Sequence, residues 1–204
     1  MCLSTGIYCI FYLKLCQIMI IILHNIRSLY NVGSIFRTAD AAGPVRNSPL
    51  QRPSWRASAG VISNGAGIEK LYLCGITPTP IDRFGKLRPQ LGKVSLGAEK
   101  SVAWEYCKSI AALIKKLKNP SVGGGYKILA VEQSKKSIPY YKVALRQVQG
   151  KNKLALIFGN EVRGLPPSVL KLADKILEIP MRGKKESLNV GVAFGIVAFR
   201  LLYP

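Results

Sequence analysis

Residues 154–202 read LALIFGNEVRGLPPSVLKLADKILEIPMRGKKESLNVGVAFGIVAFRLL, and their reading decides the fold. Leu154–Phe158 is an unbroken apolar run that stops at Gly159, the pattern of a strand buried on both faces. The spacing then predicts a short helix at Pro167–Ala173, a second strand at Lys175–Ile179 and a closing helix over Ser187–Leu202. Strands alternating with helices imply an α/β fold, a parallel sheet with helices on both faces. The closing helix, NVGVAFGIVAFRLL, is apolar nearly all round. Such a helix is either fully buried or lies in a subunit interface, which predicts a homodimer through the C-terminal helix.

The same alternation runs back towards the amino terminus. Ile18–Leu23 predicts the first core strand. Val32, Ile35, Phe36 and Ala39 then fall on one helical face, with Asn31 as the expected cap and Gly43-Pro44 as the stop. Further strands are predicted at Ile68–Ile76 and Lys127–Val131. Thr77–Gly97 reads as a basic Pro/Gly loop, Ser101 as the cap of an amphipathic helix reaching about Lys118, and Pro139–Val148 as another helix. Two stretches fall outside this scheme. Residues 1–17 are expected to be a non-core extension of a domain spanning 18–204, with Met19 as an alternative start. A membrane anchor through residues 1–23 is the rival reading. Lys14 in mid-run, with no basic leader before it and no small-residue cleavage site after it, argues against it, so no membrane is expected. Residues 44–67 carry Pro, Ser, Gly, Asn and Arg without sustained period, and their flanks nearly repeat as Ala42-Gly43 and Ala66-Gly67. They read either as an irregular insertion or as an RNA-contacting loop bearing Arg46, Arg52 and Arg56.

Composition narrows the partner. Thirty Lys plus Arg against 10 Asp plus Glu give a formal charge of +20 over 204 residues, which should attract polyanions, above all nucleic acid. A single histidine, His24, makes a Ser-His-Asp triad or a His-rich metal site improbable. Neither G-x-G-x-x-G nor the P-loop pattern occurs. The cysteines match no zinc spacing and read as free, reduced thiols of a cytoplasmic protein.

Three clusters carry chemistry-bearing residues. The first runs from Asn25-Ile-Arg27-Ser28 through Asn31 to Arg37 and Asp40, after the first strand. Open α/β sheets bind ligands at their carboxyl edge, towards which Arg37 is expected to point. The second, Ile157-Phe158-Gly159-Asn160-Glu161, lets backbone approach a ligand at Gly159 and follows it with an amide and a carboxylate. The third is Ile179-Pro180-Met181, then Ser187-Leu188-Asn189, where a strand ends and a helix opens with exposed N–H groups. Each has an ordinary structural explanation when taken alone; their joint order and spacing do not.

The motifs N-x-R-S-x-x-N-x-G-S-I-F-R-T-A-D, I-F-G-N-E-x-x-G-L and I-P-M-x-G…S-L-N-V-x-V-A resemble those of the SpoU (TrmH-type) branch of the SPOUT RNA methyltransferases. The resemblance spans Ile20 to Leu202 apart from 44–67. It implies a C-terminal trefoil knot and a methyl transfer from S-adenosylmethionine, without a metal, to a ribose 2′-hydroxyl of tRNA or rRNA. It assigns cofactor contacts to Val131, Gly159, Ile179 and Leu188, and places Arg37 at the chemical step with Asn31, Glu161, Ser187 and Asn189 around it. Because a guanidinium stays protonated to beyond about pH 12, Arg37 is expected to orient and stabilise charge, with Glu161 or a substrate phosphate taking the proton. A catalytically inactive RNA-binding protein on the same fold is the alternative.

Overall fold

The computed structural model describes residues 18–43, 67–122, 124–143 and 153–203. In chain order these form β1 (Ile18–His24), α1 (Leu29–Ala41), β2 (Gly67–Cys74), α2 (Pro89–Ser95), α3 (Ala98–Ser101), β3 (Trp104–Cys107), α4 (Ile110–Lys118), β4 (Lys127–Val131), β5 (Ile138–Pro139), β6 (Leu154–Phe158), α5 (Pro167–Leu170), β7 (Lys175–Glu178) and α6 (Val190–Leu202). Single 3-10 turns lie at Pro120–Val122 and Tyr140–Lys142. The strands make one seven-stranded sheet in the order β3-β2-β1-β6-β4-β7-β5. Every adjacent pair is parallel, as the alternation implies.

The central strand β6 is apolar at every position, and its neighbours β1 and β4 depart from that only at the terminal residues His24 and Lys127, because both faces are covered. Met19, Ile21 and Leu23 of β1 join Leu71 and Leu73 of β2 and Leu156 and Phe158 of β6 on one face, under α1, α2 and α6. Ile20 and Ile22 take the other face with Ile128, Ala130 and Ile157, under Leu113, Ile114 and Leu117 of α4 and Val169 of α5. The pleat's period of two is therefore hidden inside continuous hydrophobic runs. Phe158 meets Phe194 of α6 edge to face, with ring centroids 5.7 Å apart. Close approach sets the helix layer: a Cβ on Gly33 of α1 would stand 2.9 Å from the carbonyl oxygen of Leu91, and one on Gly191 of α6 3.1 Å from Ser34 Oγ. The strand order, with β6 and β7 each laid between other strands, is compatible with a threaded C-terminal segment.

Several local expectations are corrected. Ser28, not Asn31, caps α1, its side chain accepting from the Asn31 N–H; Asn31 lies inside the first turn. The stretch from Ser101 to Lys118 is not one helix. It contains the edge strand β3, and Ser109 caps the amphipathic α4 by accepting from the Ala112 N–H. The basic loop 77–97 contains α2, which has Pro89 in its first turn. At Pro139, β5 and a 3-10 turn replace the start of the predicted helix, and residues 144–148 lie outside the described residues. The last helix begins at Val190 rather than Ser187, with Asn189 as its cap. The expectations for residues 1–17 and 44–66 also lie outside the described residues.

Candidate active site

The strand order reverses direction beside β1. From β1 the chain moves outward to β2 and β3, whereas β6, β4, β7 and β5 lie on the other side. In an open parallel sheet the crevice for ligands forms at the carboxyl ends of strands that part in this way. Here those ends are Asn25–Ser28 after β1 and Gly159–Glu161 after β6.

The two segments are locked together. Asn160 Nδ2 donates to the Asn25 carbonyl oxygen at 2.8 Å. Glu161 Oε2 accepts from the Arg27 N–H at 3.1 Å, and Oε1 accepts from the Ser28 N–H at 3.2 Å and from Asn31 Nδ2 at 2.9 Å. Asn189 Nδ2 donates to Asn31 Oδ1 at 2.9 Å, while Asn189 Oδ1 accepts from the Gly191 N–H at 2.9 Å. The chain Glu161–Asn31–Asn189 thus ties the ends of β1 and β6 to the start of α6. Both functional atoms of the Asn31 amide are used, which fixes its orientation. Partial burial pushes the Glu161 carboxyl up, but the bonds from Asn31, its own backbone, Arg27 and Ser28 outweigh it and hold the group below its ordinary 4.5.

Besides Asn189, the third stretch is held by residues outside the three motifs. Glu132, just past β4, accepts from the Leu165 N–H at 2.7 Å. A Cβ on Gly164, whose φ is +62°, would stand 2.3 Å from the same carboxylate oxygen. Gln133 Nε2 donates to the Glu186 carbonyl oxygen, beside Ser187. The end of β4 therefore pins both the Gly159–Leu165 loop and the loop that leads to α6. A lone Glu after a strand carries no periodic signal, and only the register Val131–Phe158 across β4 and β6 reveals its neighbours.

The predicted site residues occupy these places. Val131, Gly159 and Ile179 sit at or just past the ends of β4, β6 and β7, which are neighbours in the sheet. Leu188 is 38% exposed. Gly159 packs closely, since an added Cβ would meet the Gly164 carbonyl carbon at 2.6 Å. Ser187 is exposed in the loop and hydrogen-bonds to no other described residue. Arg37 is not part of the lock. It is exposed, six residues beyond Asn31 and hence about 9 Å along α1, and about 120° away around the helix. It makes no ion pair with another described residue. Among the described residues no cluster of His, Cys, Asp or Glu is arranged to hold a metal.

Comparison with known proteins gives this arrangement a family. The profile of the SpoU rRNA Methylase family matches residues 62–199. A tRNA (guanosine(18)-2′-O)-methyltransferase of Aquifex aeolicus is 39% identical over 75 residues, 37% of this chain and 33% of that protein. The protein of the same description from Borreliella burgdorferi is 35% identical over 109 residues, 53% of this chain and 46% of that one. The chain thus matches less than half the length of either relative. A solved structure described as an AdoMet-bound rRNA methyltransferase from Sinorhizobium meliloti superposes with a TM-score of 0.64 at 22% identity, covering 93% of this chain and 57% of that one. With the profile matching well over half of its residues, the chain belongs to the SpoU rRNA Methylase family.

Proposed function

We propose that the chain transfers a methyl group from S-adenosylmethionine to a ribose 2′-hydroxyl of tRNA or rRNA. The observation that carries this reading is the Glu161–Asn31–Asn189 lock at the strand-order switch, which joins the three motif stretches. The activities named for the two tRNA relatives support it.

The residues present fit an adenosyl donor. Val131, Ile179 and Leu188 offer apolar contact at adjacent strand ends and at the entry to α6. The backbone N–H groups of Met181–Leu188 donate to no other described residue, which leaves them able to donate to a ligand. S-adenosylmethionine, when bound, supplies an electrophilic sulfonium methyl group. The chain itself would hold the ribose and manage its proton. Arg37, permanently charged, would orient the RNA and stabilise developing negative charge. Glu161 is a positioning residue in this scheme: it holds Asn31 and the Arg27–Ser28 backbone, while a substrate phosphate would accept the ribose proton. Ser187 and Asn189 would order the loop against the donor.

We assign the same copy-to-copy contact to α6 that its composition predicts. Val192 and Phe199 are 51% and 39% exposed on the helix side turned away from the core, an apolar surface suited to a second copy. No helix among the described residues is long and apolar enough to cross a membrane. A cytoplasmic location and a knotted tail belong to the same proposal. The test is transfer of labelled methyl from S-adenosylmethionine to total tRNA and rRNA, followed by digestion to nucleosides. Label in 2′-O-methylribose is expected. Undetectable transfer together with tight RNA binding would replace this reading with the inactive RNA-binding one.

A further inference from the structure

The segment between β2 and α2 is a folded finger rather than a loose basic loop. Ile81 and Leu87 form an antiparallel bridge. The Asp82 N–H donates to the Lys86 carbonyl oxygen at 2.8 Å, and the Arg88 N–H to the Pro80 carbonyl oxygen at 2.9 Å. Asp82 Oδ1 accepts from the N–H groups of Phe84 and Lys86 at 2.8 and 2.9 Å, and Gly85 turns the tip at φ +77°. The one acid of the tip is thereby turned inward onto backbone, while Arg83 and Lys86 remain outward.

The finger presents an aromatic ring for which the fold has no use. Phe84 is 70% exposed at the tip, and Arg83 lies over one face of its ring, Cζ 4.7 Å from the centroid. A bulky apolar side chain at the end of a hydrogen-bonded finger adds nothing to the core. Aromatic rings beside guanidinium groups are what unpaired nucleobases stack on, and a cationic surround supplies the attraction for the phosphates. The root is fixed to the candidate site. Thr77 Oγ1 accepts from the Ile26 N–H at 3.1 Å, its one proton faces the Cys74 and Leu23 carbonyl oxygens at 2.8 and 3.0 Å, and the Ile76 N–H donates to Asn25 Oδ1 at 3.1 Å. The finger therefore rises from the carboxyl edge one strand away from the switch point.

We infer that Phe84, backed by Arg83, is a stacking platform for an unpaired base of the RNA substrate, outside the nucleotide that is methylated. The inference rests on the RNA reading of the site above and adds to it a residue that selects unpaired over duplex RNA. The stack on Phe84 carries no base-edge hydrogen bonding and tolerates any base.

The test measures binding of the full chain to an unstructured oligoribonucleotide and to a duplex of the same length, at one fixed salt concentration. Phe84→Ala should weaken single-strand binding by about five- to a hundredfold, the usual worth of one stacked base. Phe84→Leu should be as weak, and Phe84→Trp should restore affinity. Duplex affinity, thermal midpoint and S-adenosylmethionine binding should not move. Single-strand affinity unchanged in Phe84→Ala overturns the platform while leaving the methyltransferase reading intact. So does a change in oligomeric mass with RNA affinity unchanged, which would make the tip a contact between copies. A wild-type chain that binds neither RNA overturns the RNA reading and the platform together.

Discussion

Replacing Glu161 by Gln probes the lock with one atom. The carboxylate accepts three neighbouring donors: Asn31 Nδ2 and the Ser28 N–H on Oε1, and the Arg27 N–H on Oε2. A carboxamide has one oxygen, so its NH2 group must face at least one of those donors. Hydrogen bonds to a charged acceptor contribute about 1.5–3 kcal/mol each when buried; Glu161 is exposed, and solvent screening reduces the loss to about 1–2 kcal/mol in total. For a chain of this size that lowers the thermal midpoint by about 2–8 °C. The sign of the pH dependence follows from the lowered carboxyl pKa. A depressed folded value contributes stability that is present above the ordinary 4.5 and is lost as pH falls through the folded value. Thermal unfolding of both proteins from pH 7 down to pH 3 should therefore show a gap that is full at pH 7 and closes below 4.5. Methyl transfer should fall with the gap at neutral pH, because Asn31 and Asn189 lose their anchor. A gap of the same size at every pH, or none at pH 7, would refute the charge-assisted lock.

Arg37→Ala should cut methyl transfer by at least about a hundredfold, the scale of a lost charge-stabilising group. S-adenosylmethionine affinity and the thermal midpoint should hold, and loss of all three would make Arg37 structural. Gly159→Ala should destabilise the chain and weaken donor binding, since the new Cβ meets the Gly164 carbonyl carbon at 2.6 Å; calorimetry with S-adenosylmethionine reads the second effect. Burial, helped by the charge and hydrogen bond of Cys107, pushes the Cys74 thiol up from 9.0 to about 12. The stabilisation is complete below pH 9 and is lost progressively between 9 and about 12, so alkaline unfolding in that window should be shallower in Cys74→Ala.

The parts of the fold legible in the sequence are those whose environment is uniform. β1, β4 and β6 are buried on both faces, so each reads as a continuous apolar run, and the strands at Lys127–Val131 and Leu154–Phe158 match the expected bounds. The edge is harder. Trp104-Glu105-Tyr106-Cys107 mixes exposed and half-buried residues, so its pattern also suits a helix, and the cap of the following helix is Ser109. The helix α2 contains Gly92 and opens on Pro89; it stands because Leu91 packs on Gly33 of α1, a tertiary contact that overrides local propensity. At the site, the three motifs announce residue types but not their pairing. Asn31 has the residue type of a cap but lies three residues past the true one, Ser28; its partners, Glu161 and Asn189, are brought to it only by the sheet order. Glu132 and Thr77, which brace the same edge, carry no pattern that a single sequence displays.

The most direct measurement of the central claim is a crystal structure of the full chain grown with S-adenosylmethionine. The adenosyl group is expected against Val131, Gly159, Ile179 and Leu188, with the Glu161–Asn31–Asn189 chain intact beside it. Density for the donor at another surface, or none at saturating concentration, would contradict it.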